Sequence, residues 1–196
     1  NDADGLAAYE LNVSCPNIRA GRLFGSDPSL TAGLVTALRR MTRRPLFVKL
    51  GPLVTDITVI ARAAADAGAD ALCCVNTLPG LSIDVETRRP ALGAGPGGFS
   101  GPALRPLAVW STWRVARATS LPVIGAGGVR TARDALEFLL VGARAVAVAS
   151  AAITDPEAPQ RIVVGLREYL QRHGLADIGA LIGRVEGLEG AEKDGA

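Results

Sequence analysis

Five short apolar runs alternate along the chain with longer segments of helical period, and this alternation constrains the fold more than any other feature. Such a succession is typical of βα units around a parallel sheet. The runs lack hydrophobic–polar alternation, which is expected of strands that are buried on both faces. Strands are predicted over residues 8–12, 46–50, 71–76, 123–125 and 145–149.

Capping signals place helices between these strands. Asp27 and Asp56 stand where they can cap helices that end near Met41 and Gly68. Further helices are predicted over residues 102–118, 131–140 and 156–172. The stretch 81–101 is rich in Gly and Pro and too long for an ordinary βα connection, so we expect a functional loop there.

Five βα units suit either a doubly wound sheet or part of a (β/α)8 barrel, which ordinarily needs about 250 residues. The chain has 196 residues, too few for eight units, and it begins with Asn1 rather than Met, which indicates a fragment. We expect one domain over residues 1–184 and a flexible tail over residues 185–196.

The composition is that of a globular protein, with 48% hydrophobic and 20% charged residues. A net charge of +2 with scattered arginines gives no reason to expect a nucleic-acid partner. Every apolar run is shorter than a membrane span, and no secretory signal is visible, so no membrane association is expected. Three cysteines without a disulfide or metal spacing fit a reducing cytoplasm.

Reactive groups of parallel α/β proteins gather where the strands end, and the ends of the predicted strands are polar. Lys49 is one of only two lysines, and an ammonium group inside an apolar strand requires an anionic or electron-rich partner. Cys15 lies between Ser14 and Pro16 just past a strand end, where its thiol can act as a base. Cys73 and Cys74 are predicted to be inert and buried.

Backbone amides after the last two strands indicate a phosphate site. Gly127 and Gly128 follow the fourth strand and Ser150 follows the fifth, each just before a helix. Glycine lets the backbone approach phosphate oxygens without a Cβ atom in the way. His173 has the position of a helix cap and is assigned no catalytic role. The carboxylates show no spacing typical of a metal site, so no metal is expected.

Residues 10–17, with the sequence ELNVSCPN, closely resemble the active-site segment of class 1 dihydroorotate dehydrogenases. The likeness continues in the same order through residues 48–50, 54–57, 67–70, 75–78, 83–84, 87–90, 97–103, 124–129 and 134–138. So long a colinear series is specific. Residues 76–78 and 97–102 favour the B type of this family.

The resemblance implies a TIM (β/α)8 barrel, of which the chain would hold about the last five βα units. It implies oxidation of dihydroorotate to orotate in UMP biosynthesis, with Cys15 taking a proton from C5 while hydride leaves C6 for FMN. The substrate contacts would be Asn12, Asn76 and Thr77. The FMN contacts would be Asn12, Lys49, Val75, Gly101, Gly127, Gly128, Ala149 and Ser150. The B type also implies a homodimeric core and a partner subunit with an iron–sulfur cluster and FAD that uses NAD.

Three departures from the family pattern affect this interpretation. Ala149 stands where the family usually has Gly, and residues 51–53 read Gly-Pro-Leu instead of Ser-Pro-Asn. The family's first three strands, with another flavin-site lysine, are missing. Two other functions stay open: a dihydropyrimidine dehydrogenase-like FMN domain, which usually has His where Asn17 stands, and a noncatalytic phosphate-binding remnant.

Overall fold

The computed structural model of the chain describes residues 5–14 and 24–188. Its strands are β1 (Tyr9–Asn12), β2 (Leu46–Leu50), β3 (Ala71–Cys74), β4 (Leu78–Gly80), β5 (Ile83–Asp84), β6 (Arg89–Pro90), β7 (Gly97–Phe99), β8 (Val123–Ala126) and β9 (Ala145–Ala147). Its helices are α1 (Pro28–Met41), α2 (Ile57–Asp66), α3 (Arg105–Ala118), α4 (Ala132–Leu140), α5 (Ser150–Thr154) and α6 (Ala158–Arg172). Short 3-10 turns cover Phe24–Ser26, Pro102–Leu104 and Ile178–Leu181.

The main sheet has five strands in the order β1-β2-β3-β8-β9, and all of its pairs are parallel. Asn12 lies opposite Lys49, and Lys49 lies opposite Cys73. Because the strands are parallel, their carboxyl ends form a single rim on one edge of the sheet. Within the described residues β1 and β9 each pair on one side only, so the sheet is open. The prediction of an α/β fold with five parallel strands is confirmed.

Helices cover one face of this sheet. On β2 the side chains of Leu46, Val48 and Leu50 are buried beneath the helices, whereas Phe47 and Lys49 point to the other face and are only half-buried. The prediction that the strands are buried on both faces therefore holds for β3, all four residues of which are buried, but not for β2. The half-buried face of β2 carries apolar Phe47 as well as Lys49, and Lys49 pairs there with Glu10 of β1.

The predicted helix caps are present. The Asp27 carboxylate accepts a hydrogen bond from the Leu30 N–H at 2.8 Å, and that of Asp56 accepts one from the Thr58 N–H at 2.9 Å. Helix α1 ends at Met41 as expected. Gly68, just past α2, has φ of +101°, a conformation that favours glycine at a helix end.

Three strands are shorter than predicted, β1 by one residue at its start and β3 and β9 by two residues at their ends. β3 stops at Cys74, where the ladder loses its register: the Leu72 N–H donates to the Pro122 carbonyl, but the Val75 N–H, three residues on, donates to the Ala126 carbonyl, four residues on. The Asn76 N–H donates to the Leu50 carbonyl on the other side. β9 stops at Ala147. The chain thus leaves the regular ladder close to the rim, and residues 75 and 76 are fixed to the strand ends on both sides.

Residues 78–99, which include most of the predicted functional loop 81–101, form two small antiparallel ribbons, β4 with β7 and β5 with β6. The ribbons begin directly after Thr77 and end two residues before Gly101. Their functional role stays a prediction, as does the boundary between domain and tail at residue 184. Near that boundary the Val185 N–H donates to the Leu140 carbonyl at 3.1 Å. Among the described residues, no helix combines the length and apolar character needed to cross a membrane.

Candidate functional site

The side-chain amide of Asn76 joins the ends of two strands at the rim. Its Nδ2 atom donates to Asn12 Oδ1 at 2.9 Å and to Ser14 Oγ at 3.0 Å. Its Oδ1 atom accepts the N–H of Thr77 at 2.9 Å. The three residues predicted to bind substrate, Asn12, Asn76 and Thr77, are therefore brought together by hydrogen bonds. Ser14 also lies within 3.4 Å of the Lys49 carbonyl oxygen, which ties the end of β2 into the same cluster.

Lys49 has the anionic partner that its position in an apolar strand requires. Its Nζ atom lies 3.3 Å from Glu10 Oε1, on the face of the sheet that the helices leave uncovered. The sequence analysis did not single out Glu10. The signal was available in the strand period, because Glu10 lies two residues before Asn12 and so points to the same face.

The two adjacent cysteines are buried, as predicted. Burial raises the pKa of Cys73 to about 12, and the nearby Glu10 carboxylate adds to the rise. Burial also raises the pKa of Cys74. Both thiols are therefore protonated at neutral pH, and neither can serve as a base there.

Cys15, the predicted catalytic base, and Asn17 lie outside the described residues. Ser14, which precedes Cys15 in the sequence, belongs to the Asn76 cluster. The role of Cys15 therefore stays a prediction. The structure describes the other residues of the predicted site that surround this segment, but not Cys15 itself.

The predicted phosphate turn has the backbone shape that glycine permits. Gly127 and Gly128 have φ values of +131° and +74°. A Cβ atom on Gly128 would lie 2.7 Å from the Gly101 carbonyl oxygen and 2.9 Å from Arg105 Cβ, so this position has no room for a side chain. The turn is thus packed directly against the segment that contains Gly101, another predicted cofactor contact.

The remaining predicted cofactor contacts lie along the same rim. Val75 is joined to the end of β8 by its hydrogen bond to the Ala126 carbonyl. Ala126 pairs with Ala147, so the Gly127–Gly128 turn and the segment Ala149–Ser150 leave neighbouring strands at the same edge. Helix α5 begins at Ser150. The structure thus places the described members of the predicted site at one edge of the sheet.

Asp134 is a buried charge that the sequence analysis interpreted as an ordinary helix-start residue, and this interpretation was incomplete. It does form the predicted kind of cap with Thr131, but its side chain is only 9% exposed and is paired with Arg105. Burial raises the pKa of Asp134, whereas hydrogen bonds from the N–H groups of Arg130 and Thr131 and the charge of Arg105 lower it, and the net direction is downward.

A cavity and a histidine lie away from the rim in the described part of the chain. An open cavity of about 920 Å³ lies at the amino end of the sheet. Its lining includes Trp113, Leu121, Pro122 and Arg144 but none of the predicted site residues. His173 caps helix α6 and stacks on Tyr169, with ring centroids 4.2 Å apart. Over residues 5–14 and 24–188 no group of three or more His, Cys, Asp or Glu residues could hold a metal ion.

The fold and the site together define an α/β protein of the (β/α)-barrel type, with its polar groups at the rim formed by the carboxyl ends of the strands. The chain belongs to the dihydroorotate dehydrogenase family, whose model matches residues 5–170. The family and the incomplete barrel that the sequence analysis expected are thereby confirmed.

Relatives and a solved structure agree with this membership. The chain is 54% identical over 180 residues to the catalytic subunit of dihydroorotate dehydrogenase B (NAD(+)) of Desulforudis audaxviator, covering 91% of this chain and 59% of that protein. It is 51% identical over 187 residues to a protein of Solibacter usitatus that is provisionally named dihydroorotate dehydrogenase A (fumarate), covering 95% and 62%. A crystal structure of the Eimeria tenella enzyme in complex with ferulenol superposes with a TM-score of 0.74 at 26% identity, covering 91% of this chain and 54% of that one. The chain thus spans about three fifths of the length of these curated relatives.

Proposed function

We propose that this chain carries the carboxyl-terminal part of the active site of a dihydroorotate dehydrogenase, which oxidises dihydroorotate to orotate in UMP biosynthesis. The observation that carries the proposal is the hydrogen-bonded cluster of Asn12, Ser14 and Asn76 at the rim, next to Lys49. These groups offer amide donors and acceptors, a hydroxyl and a positive charge to a single ligand. Dihydroorotate, an anionic ring with amide-like edges, matches that set of groups.

The roles of the residues follow from their chemistry. Asn12 and Asn76 present amide groups to the edges of the ring, and Thr77 adds a hydroxyl for the carboxylate. Cys15, as a thiolate, removes the proton from C5. The other two cysteines cannot replace it, because their buried thiols stay protonated at neutral pH.

The glycine-rich part of the rim fits the phosphate end of FMN. Gly127 and Gly128 both adopt positive φ, and successive N–H groups in such a turn can form a concavity that binds an anion. Gly127, Gly128, Ala149 and Ser150 would hold the phosphate, and Lys49, Val75 and Gly101 would lie along the ring. When bound, FMN supplies the acceptor for the hydride from C6. The Lys49 charge favours a reduced, anionic ring.

The electron acceptor separates the B type from the A type. The name of the Desulforudis relative supports an NAD-linked catalytic subunit, which would work with a separate iron–sulfur and FAD subunit. The name of the Solibacter relative, at similar identity, supports fumarate instead. We favour the B type, with a homodimeric core in the cytoplasm. Reoxidation of the reduced protein by fumarate alone would contradict this choice.

The proposal is tested by Cys15→Ser in a protein of the relatives' full length that contains this segment. We expect the variant to keep its yellow flavin but to be reduced by dihydroorotate at least about 100-fold more slowly at pH 7, since general-base catalysis contributes on that scale and a hydroxyl is a poor base. Stopped-flow absorbance of the flavin measures the rate. Cys74→Ala is the matched control, because it removes a thiol that is fully buried and whose pKa is raised by that burial, so it cannot act as a base.

Two results would contradict the proposal. Unchanged reduction of Cys15→Ser would remove this thiol from the reaction. Reduction of the unaltered protein by dihydrouracil but not by dihydroorotate would assign the site to dihydropyrimidine chemistry instead.

A further inference from the structure

The Asp134 carboxylate is buried at the exit of the Gly127–Gly128 turn. Its Oδ2 atom accepts the N–H groups of Arg130 and Thr131, both at 2.9 Å. These two amides follow the turn and precede helix α4, so the carboxylate fixes the backbone just where the glycine turn ends. A carboxylate side chain that is only 9% exposed can hold this position only if its charge is compensated.

Arg105 provides the compensation from the opposite side. Its Nη1 atom is paired with Asp134 Oδ1, and its Nε atom lies 3.2 Å from Glu137 Oε2. Arg105 is the first residue of α3 and stands four residues after Gly101. Its Cβ atom and its backbone nitrogen also form part of the surface that would collide with a side chain on Gly128. The Arg105–Asp134 pair therefore joins the segment after Gly101 to the glycine turn. Arg105 packs against Gly128, and Asp134 holds the backbone after the turn by hydrogen bonds.

The pair also controls the charge next to the turn. The Asp134 Oδ2 atom accepts the Arg130 N–H, two residues after Gly128, so an uncompensated carboxylate there would repel a phosphate dianion bound at Gly127 and Gly128. Arg105 offsets the charge of Asp134 and so weakens that repulsion, and it also lies beside the Glu137 carboxylate. Because the Arg105 guanidinium group bonds through two nitrogens, it fixes the orientation of the Asp134 and Glu137 carboxylates as well as offsetting negative charge.

We propose that Arg105 and Asp134 are positioning residues that hold the Gly127–Gly128 turn in the shape and the electrostatic environment that receive a phosphate group. The pair thereby sets the preference of the site for FMN over riboflavin, the same ring without phosphate. This inference rests on the proposed function, which places the cofactor phosphate at this turn. Neither Arg105 nor Asp134 is proposed to contact the cofactor.

The test compares the two flavins on apoprotein of the relatives' full length. Dissociation constants for FMN and riboflavin are measured by quenching of flavin fluorescence in the unaltered protein and in Arg105→Gln. We expect the ratio of the two constants to move about 10-fold against FMN, the scale of one hydrogen bond to a charged group, with riboflavin binding unchanged within about twofold. Loss of general structural integrity would weaken both flavins alike.

Arg161→Gln is the matched control. Arg161 lines the same cavity of about 440 Å³ as Arg105, but its carboxylate partners are Asp155 and Glu157. The control removes an equal charge from the same region and should leave the ratio unchanged. Asp134→Asn is a second variant of equal size; because it removes the repelling charge together with the ion pair, it should move the ratio against FMN less than Arg105→Gln does. If it does not fold, Arg105→Gln decides alone.

The outcomes separate the inference from the proposed function. An unchanged ratio in Arg105→Gln, an equal loss of both flavins, or an equal shift in Arg161→Gln overturns the inference alone. If the unaltered protein does not prefer FMN to riboflavin, the proposed cofactor assignment fails, and the inference fails with it.

Discussion

Replacing Gly128 by alanine should destabilise the protein by more than its backbone conformation alone would cost. Gly128 has φ of +74°, and an alanine in the left-handed region costs about 1–2 kcal/mol. The new Cβ atom would also lie 2.7 Å from the Gly101 carbonyl oxygen, which is backbone and cannot rotate away. Overpacking of this kind costs a further 1–3 kcal/mol, roughly. The total expected loss is about 2–5 kcal/mol.

Gly183 separates the two contributions. It has φ of +71°, nearly the same conformation, but a Cβ atom there would meet nothing within 4 Å. Gly183→Ala should therefore cost only the conformational part. We expect urea denaturation of the apoprotein, at the relatives' full length, to show Gly128→Ala less stable than Gly183→Ala by about 1–3 kcal/mol. Equal losses in the two variants would refute the close contact between the glycine turn and Gly101.

Two further predictions concern titratable side chains. Because burial raises the pKa of Cys73 to about 12 and raises that of Cys74, both should resist iodoacetamide at pH 8 in the native protein, as read by peptide mass spectrometry; prompt labelling would contradict their burial. The pKa of Asp134 is lowered in the folded protein, so its carboxylate stabilises the fold above the unfolded pKa of about 3.9, and this contribution is lost as the pH falls through the folded value. The difference in unfolding free energy between the unaltered protein and Asp134→Asn should thus be constant between about pH 5 and pH 7 and should shrink near pH 3, whereas a difference independent of pH would contradict the ion pair.

The sequence predicted those elements whose signals are local. α1 and β2 have the predicted ends, because an N-cap, a proline and an uninterrupted apolar run fix them within a few residues. The end of β3 was wrong by two residues. The amides of Val75 and Asn76 bond to strands that lie far away in the sequence, and a local pattern contains no information about that choice.

The same distinction holds for the site. The polar rim could be predicted, because parallel strands place their carboxyl ends together whatever the side chains are. The partners within the rim could not. Lys49 and Glu10 are 39 residues apart, and Arg105 and Asp134 are 29 apart. Such pairs depend on strand order and helix packing, so the sequence showed that Lys49 needs a partner without showing which one.

The bonds of Asn76 have a consequence for molecular selection. Both of its polar side-chain atoms are already engaged, the nitrogen by Asn12 and Ser14 and the oxygen by the Thr77 N–H. A visiting molecule must therefore exchange bonds with this amide, and its gain is the difference between the new bond and the old one. A ligand whose hydrogen bonds to Asn76 have poorer geometry than the bonds they replace gains little binding free energy. Selectivity at this rim therefore depends on the quality of the replacing hydrogen bonds and not on the number of contacts.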